Sequence, residues 1–167
     1  MKNKSDVVNI ETILFSGKRS LQWDEVELYL LRYCGVKKEV KETGDRIIIG
    51  SRFASEYCGS MYTKKLHGTL EKAKANAAQI IMELDENAVN RRWTANKDDK
   101  HCNDAKLGWY RYDVFFTLPV VFNEKRVINR YRGTLIARIN DEGIYLHDII
   151  NIKKEDSKPF ESNDRTV

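Results

Sequence analysis

The spacing of hydrophobic residues changes part-way along the chain. Up to about residue 92, apolar residues recur at three- and four-residue steps, which is typical of amphipathic helices. The segment "SLQWDEVELYLLRYCG" predicts one helix, with Ser20 as its N-cap and Gly35 as its C-terminal stop. The segment "GSMYTKKLHGTLEKAKANAAQIIMELDENAVNRR" predicts the longest helix, within which Gly68 is a candidate break. Helices therefore dominate the first part of the chain.

A period of two follows the polar segment "RWTANKDDKHCNDAKLG". It predicts strands over 109–121, 127–139 and 144–152, joined by the turns "NEKR" and "NDEG" as an antiparallel meander. Shorter strands are expected at 7–10 and 46–49, and the polar end "KKEDSKPFESNDRTV" predicts a frayed tail. We expect a lead-in over 1–19, one domain over 20–155 and a flexible tail over 156–167. The predicted fold class is α+β, with N-terminal helices packed on one face of the antiparallel meander.

The meander sorts its side chains onto two faces if its loops are 123–126 and 140–143. The predicted core face, covered by the alanine-rich helix, holds Tyr110, Tyr112, Val114, Phe116, Leu135, Ala137, Ile139, Ile144, Leu146 and Ile150. The opposite face is polar and holds Arg111, Asp113, Thr134, Arg138, Tyr145 and His147. In this register two rows cross the strands, Arg111–Arg138–Tyr145 and Asp113–Ile136–His147. The polar face is the candidate site.

Two interpretations of the paired arginines stay open. Adjacent arginines on an open sheet repel each other, so Asp113 can lie between them in a solvent-facing ion-pair patch. The other interpretation is a phosphate clamp, because the guanidinium presents a planar fork of donors. His101, just before the first strand, is placed to transfer protons near neutral pH. Ribonuclease chemistry needs a base for the ribose 2′-OH, an acid for the leaving 5′-oxygen and cations for the phosphate.

The charges elsewhere give weaker indications. The chain has 29 Lys and Arg against 25 Asp and Glu, a formal net charge of +4, which permits a nucleic-acid partner without requiring one. Lys64, Lys65, Lys72 and Lys74 lie mostly off the apolar stripe of the long helix. They form either a solvated basic face or, at the helix start, an edge that contacts phosphate. His67, within the same helix, is expected to be a surface residue.

Composition sets the class of protein. The 167 residues are 41% hydrophobic and 32% charged, which fits a soluble globular domain. No apolar run approaches the ~20 residues that span a bilayer, and no signal-peptide pattern is present, so we expect a cytoplasmic protein without a membrane partner. Cys34, Cys58 and Cys102 match no metal-binding spacing and are expected to be reduced thiols. We predict neither a metal nor a cofactor.

The order of several segments resembles a nuclease domain of phages and conjugative elements. The segments are "WDEVELYLLRYCG", "ETGDRIIIGSRFASEYCGSMYTKKLHGTLEKAKANAAQ", "KHCNDAKLGWYRYDVFFTLPV" and "LIARINDEGIYLHDIINIKKE", and the resemblance covers roughly residues 20–158. Such domains are grouped as barnase–EndoU–colicin–RelE-like nucleases and occur in large polyvalent mobile-element proteins. The resemblance implies an α+β fold and metal-independent RNase activity on the open sheet face.

The positions that match this family's recurring pattern are Tyr62, Lys64, Lys65, Lys100, His101, Arg111, Arg138, Tyr145 and Asp148. The family usually has "YLYD" where this chain has "YLHD", so His147 is not a family residue, and His101 is favoured as the acid or base. Asp148 falls on the predicted core face, which indicates either a buried structural carboxylate or an error of register.

The leading hypothesis is a mobile-element RNase-like protein of a bacterial host cytoplasm that binds RNA and cleaves it without metal. Its predicted catalytic residues are His101, Arg111, Arg138 and Tyr145, and its predicted substrate-binding residues are Lys64, Lys65, Lys100 and His147. The alternative is a non-catalytic, anti-CRISPR-type inhibitor that binds a host defence nuclease or its guide RNA. A third hypothesis is an assembly module with a solvated charged face.

Overall fold

The computed structural model describes residues 6–16, 22–97 and 105–159. Its fold is mixed α+β, as predicted, with helices against one face of a seven-stranded sheet. The helices are α1 (Trp23–Leu30), α2 (Phe53–Gly59), α3 (Met61–Lys64), α4 (Gly68–Ala77) and α5 (Ile81–Glu86), with 3-10 turns at Leu31–Tyr33 and Ala78–Ile80. The strands are β1 (Val7–Asn9), β2 (Lys37–Glu39), β3 (Arg46–Ile48), β4 (Val89–Thr94), β5 (Trp109–Phe122), β6 (Lys125–Asn140) and β7 (Gly143–Pro159).

The predicted antiparallel meander is the centre of the sheet. The strand order is β1-β5-β6-β7-β3-β2, and β4 lies beside the first part of β5. The predicted strands near 7–10 and 46–49 are confirmed, and they join the meander through parallel pairs, β1 with β5 and β3 with β7. The hydrophobic pattern did not predict β2 or β4. Strand β4 falls at the end of the predicted long helix, where Asn90 takes a positive φ of 58° that no continuing helix allows.

The predicted long helix is three helices. Gly68, the candidate break, begins α4 with φ of 68°, a left-handed conformation that favours glycine. The first helix is shorter than predicted, because it starts at Trp23 after Gln22 as N-cap and passes into a 3-10 turn. Ser20, the predicted N-cap, lies outside the described residues.

The turn between β5 and β6 corrects the predicted register. The turn has only two residues, Asn123 and Glu124, with φ of 51° and 65°, as a type I′ hairpin turn requires. Arg111 therefore pairs with Ile136, and Arg138 pairs with Trp109, so the predicted contact between Arg111 and Arg138 is wrong. The error is two residues, an even number, which leaves every side chain on its predicted face.

The β6–β7 hairpin has the predicted loop, with Arg138 opposite Tyr145, but β7 carries bulges. The first bulge lies beside Ile136, which pairs with Asp148 instead of the predicted His147. One extra residue reverses the faces beyond it. As a result Ile149 is fully buried in the position predicted for Ile150. The strand then continues to Pro159. The polar end was predicted to fray from residue 153, with a flexible tail at 156–167, but it is paired with β6 as far as residue 159.

The core lies between the sheet and the helices. It includes Tyr112, Phe116, Tyr131, Leu135, Leu146 and Ile149 from the sheet, and Ala73, Ala77, Ile81 and Leu84 from the predicted helical stripe. Lys74 is a correction: its side chain has no exposed surface and forms an ion pair with buried Asp148. It is therefore not part of a solvated basic face. Within the described ranges, no helix has both the length and the apolar character needed to cross a bilayer.

Candidate nucleic-acid interface

The outer face of the sheet, the face opposite the helices, carries the candidate site. One row across the strands is Trp109–Arg138–Tyr145. The next row places Arg111 beside Ile136, with the β7 bulge beyond it. Trp109 and Ile136 are buried with Ala105 in a small apolar cluster apart from the main core. Part of the outer face is therefore apolar and buried.

A group that we call the Arg138 cluster, namely Glu56, Trp109, Arg138, Tyr145 and His147, surrounds one buried guanidinium. Arg138 donates to Glu56 Oε1 over 2.8 Å, and the same oxygen lies 3.5 Å from His147 Nδ1. The Trp109 and His147 rings lie 5.1 Å apart, and the Arg138 guanidinium lies 5.7 Å from the Tyr145 ring centroid. Three strands and α2 thus converge on a carboxylate, an imidazole and a guanidinium.

The electrostatics of Glu56 make it an ionised acceptor. Burial acts to raise the pKa of this carboxyl, but the hydrogen bonds and positive charges of His147 and Arg138 outweigh it and hold the pKa below its ordinary value. The side chains of Glu56 and His147 are each 17% exposed, whereas that of Arg138 is 4% exposed. Small molecules or a ribose can therefore reach the carboxylate and the imidazole more easily than the guanidinium.

An open polar cavity of about 470 Å³ adjoins the Arg138 cluster. It is lined by Gly50, Ser51, Arg52, Arg138, Asn140, Asp141, Glu142 and Tyr145. The Tyr145 hydroxyl donates to Glu142 over 3.3 Å, and burial together with the Glu142 charge raises the pKa of this hydroxyl, so it stays protonated at neutral pH. A Cβ at Gly50 would come within 3.2 Å of the Tyr145 ring, so the glycine allows the loop to approach the tyrosine closely.

A second group, which we call the basic patch, consists of Arg92, Arg111 and Arg132 around Asp113. Arg92 and Arg132 donate to the two carboxylate oxygens of Asp113 over 3.1 and 3.2 Å. Arg111 lies directly across from Arg92, and its side chain has no hydrogen-bond or ion-pair partner among the described residues. Asp113 was predicted to sit between Arg111 and Arg138, but its partners are Arg92 and Arg132. Three cations surround one anion, so the patch keeps a net positive charge.

The structure brings together some of the predicted site residues and separates others. Arg138, Tyr145 and His147 belong to one cluster, whereas Arg111 lies in the neighbouring basic patch. Lys64 and Lys65 end the short helix α3, in the helix layer that covers the core face, so they do not join the predicted site. Lys100 and His101 lie outside the described residues. His67, predicted to be a surface residue, is exposed at the N-cap of α4.

Asp148 anchors the β7 strand directly beneath His147. Its carboxylate accepts from Lys74 Nζ and from the backbone amide of Ile149, and the Lys74 ammonium also donates to Thr63. The register that placed Asp148 on the core face was thus correct for this residue. Because neighbouring residues of the bulge face opposite sides of the sheet, this buried ion pair also holds the His147 imidazole on the outer face.

The sequence pattern did not predict Glu56 or Trp109 as parts of the site. Glu56 lies in "RFASEYCG", between the buried residues Phe53 and Tyr57, and at this position it resembles any polar residue on the exposed side of a helix. Its partner Arg138 is 82 positions away in the sequence. In the sequence, Trp109 is only the first residue of a predicted strand. No local pattern signals a contact of this range.

Metal-binding and cysteine chemistry have few candidates. In residues 6–16, 22–97 and 105–159, no three His, Cys, Asp or Glu side chains come close enough to hold a metal ion together. Cys34 is a free, exposed thiol and Cys58 a free, buried one. Burial raises the pKa of the Cys58 thiol to about 12, so it remains protonated. Cys102 lies outside the described residues.

Comparison of the chain with protein-family models, with curated protein sequences and with solved structures finds no match. The class that the fold and site define is therefore an α+β domain with a charged cluster and a basic patch on its open sheet face.

Proposed function

We propose that the protein is an RNA-binding, RNase-like protein whose active centre is the Arg138 cluster. The observation that carries the proposal is the contact of one ionised carboxylate, Glu56, with both His147 and Arg138 beside an open polar cavity. Phosphodiester cleavage by the ribose 2′-OH needs this combination of proton acceptor and cation. The α+β fold is compatible with the nuclease family that the sequence resembles, and the barnase/EndoU-like topology is part of the proposal.

In this mechanism the Glu56–His147 pair accepts the 2′-OH proton. The 2′-oxygen then forms a bond to phosphorus, while the bond from phosphorus to the 5′-oxygen breaks. Arg138 stabilises the negative charge that develops on the phosphate, and the leaving 5′-oxygen takes up a proton. Tyr145, whose hydroxyl stays protonated and faces the cavity, is the donor among the described residues. His101 stays a predicted second donor. The products are a 2′,3′-cyclic phosphate and a 5′-hydroxyl.

The test is a cleavage assay on labelled single-stranded and structured RNAs, with and without EDTA. We expect His147→Asn and Tyr145→Phe each to lower the rate by about 10²- to 10⁴-fold. His67→Ala removes an exposed histidine from the helix layer and is the matched control, with wild-type activity expected. Circular dichroism and thermal unfolding of each variant show whether it is folded. The proposal is wrong if folded His147→Asn and Tyr145→Phe cleave RNA as fast as the wild type.

A second candidate function is supported by the burial of Arg138. Its side chain is 4% exposed and already paired with Glu56, so the cluster is neutralised without any ligand. This arrangement suits a non-catalytic anti-defence inhibitor that engages a host nuclease or its guide RNA through the exposed basic patch. Inhibition that survives His147→Asn but is lost in an Arg111→Ala, Arg132→Ala double variant would favour this candidate. The reverse pattern would favour catalysis.

A further inference from the structure

Trp93 is an exposed aromatic residue that neither proposed mechanism uses. It lies on β4 and is 58% exposed, which makes it one of the few large apolar residues at the surface. An exposed indole loses favourable burial, so a fixed, exposed tryptophan is a candidate contact for a ligand. Leu107, which is 48% exposed, lies beside it.

The indole of Trp93 is fixed against the chain. Its Nε1 donates to the carbonyl oxygen of Leu107 over 2.9 Å. Gly108 has φ of +100°, and a Cβ at this position would lie 2.6 Å from Trp93 Nε1. Only glycine therefore lets the ring lie against this backbone. The ring is held at its N–H edge while much of its surface remains open, which reduces the entropy lost when a second flat ring stacks on it.

The position of Trp93 relates it to the candidate active centre. The next residue, Thr94, continues the row Thr94–Trp109–Arg138 across the sheet. Strand β4 thus lies two strand spacings from β6, which is about 10 Å. Trp93 itself pairs with Tyr110, whose side chain packs against the main core, so the indole lies at the β4 edge on the side of the sheet opposite the Arg138 cluster. Only a flexible strand that passes around this edge can contact both the ring and the cluster.

The charges around Trp93 favour a nucleic acid over a protein. Arg91 and Arg92 precede it directly, with side chains 36% and 46% exposed, and Lys106 on the neighbouring turn is 62% exposed. Each is paired with a carboxylate, that of Asp45, Asp113 and Asp141 respectively. Exposed ion pairs contribute little to stability, so an RNA phosphate can replace the carboxylate partner. Cations next to an open aromatic ring are the combination by which proteins hold single-stranded nucleic acid, where the bases stack and the backbone is neutralised. In a duplex the base faces are already stacked on one another and are closed to the ring.

We infer that Trp93 is a base-stacking residue and that the RNA bound by this protein is single-stranded. This inference rests on the proposed function and specifies its substrate class. It predicts that the protein prefers single strands to duplexes and that this preference depends on the indole. The preference should not depend on the acid–base chemistry of the Arg138 cluster.

The experiment measures binding of a short fluorescein-labelled RNA whose 2′-hydroxyls are methylated, so that it cannot be cleaved, as a single strand and as a duplex. We expect Trp93→Ala to weaken single-strand binding by about 5- to 100-fold, the size of one base–aromatic stack. Trp93→Phe should keep most of the affinity, and duplex binding should not change. Tryptophan fluorescence should be quenched by the single strand in the wild type and much less in Trp93→Phe. Leu28→Ala, which truncates an exposed apolar residue on α1, is the control.

The outcomes separate the two proposals. If the wild type binds the single strand and Trp93→Ala binds it equally well, the stacking inference is overturned and RNA binding stands. The same result is expected if the ring contacts a protein partner instead. If Trp93→Ala weakens duplex and single-strand binding alike, the ring does not select single strands and the inference fails. If the wild type binds no RNA even at low salt, the proposed function and the inference fail together.

Discussion

The buried ion pair between Lys74 and Asp148 gives the sharpest prediction about stability. Both side chains are inaccessible, with 0% and 2% of their surface exposed. The ammonium also lies over the rings of Tyr57 and Tyr62, at 4.6 and 5.1 Å from their centroids. Replacing either partner with a neutral residue leaves the other charge in a site that water does not reach. Lys74→Met and Asp148→Asn are the two single replacements.

The expected cost follows from the burial of both charges. Removing one partner of a fully buried pair typically costs about 3–5 kcal/mol, because the remaining charge is uncompensated. Domains commonly have a free energy of unfolding of about 5–15 kcal/mol, so each single replacement removes a large part of the stability. Burial lowers the pKa of Lys74 and raises the pKa of Asp148, and the attraction between the two charges offsets this only in part. The double variant should therefore be more stable than either single variant.

The assay is urea-induced unfolding of the wild type, the two single variants and the double variant at neutral pH. The coupling energy of this double-mutant cycle isolates the interaction. Melting temperatures should fall by about 6–20 °C in the single variants, at about 2–4 °C for each kcal/mol. Lys72 lies two residues before Lys74 on the same helix and is only half-buried. Lys72→Met is therefore the matched control, and a small effect is expected. Single variants that lose less than about 1 kcal/mol, with additive effects in the double variant, would refute the reasoning.

Three further predictions concern other parts of the chain. Asp85 is fully buried, neither carboxylate oxygen has a partner among the described residues, and burial raises its pKa well above the ordinary value. Since ionisation then opposes folding above the unfolded pKa, Asp85→Asn should raise the free energy of unfolding at pH 7, with the gain shrinking toward about pH 4; a gain that does not change with pH would contradict this. Glu124→Gly should raise stability by about 1 kcal/mol, because Glu124 holds a left-handed conformation in the type I′ turn; differential scanning calorimetry checks this, and a lower melting temperature would disprove it. Arg111→Ala should weaken RNA binding and reduce the slope of log affinity against log salt by about 1, whereas Arg32→Ala on the helix layer should not; equal slopes for the two variants would count against the basic patch.

Alternation along the strands predicted most of the sheet. A period of two depends only on local side-chain direction, so the two faces of the meander could be assigned without knowing its turns. The error at the 123–124 turn was harmless to the faces because it moved the pairing by two residues. Strand β2 has only three residues and β4 is exposed over most of its length, so neither shows a clear period of two. The bulges in β7 interrupt that period at positions that alternation alone does not mark.

The site was predictable only where it lies on the meander. Arg138, Tyr145 and His147 share one face by alternation, and the structure places them together. Glu56 reaches them from α2, and the helical pattern around it gives no sign of that contact. Lys74 was misassigned for a related reason: its position looks polar along the helix, and only the approach of Asp148 from β7 makes a buried lysine acceptable.

The bulges of β7 each change the phase of its alternation. The first reverses the inside–outside alternation beyond His147, and the second, beside Asn151 with its φ of 54°, reverses it again, so that Ile152 is buried. A third, opposite the step from Arg130 to Tyr131, reverses it once more toward Pro159. Deleting one residue from a single bulge would therefore exchange the faces of every residue beyond it, whereas deleting one residue from each of two bulges would leave the faces beyond both unchanged. Length changes in this strand are tolerable in pairs.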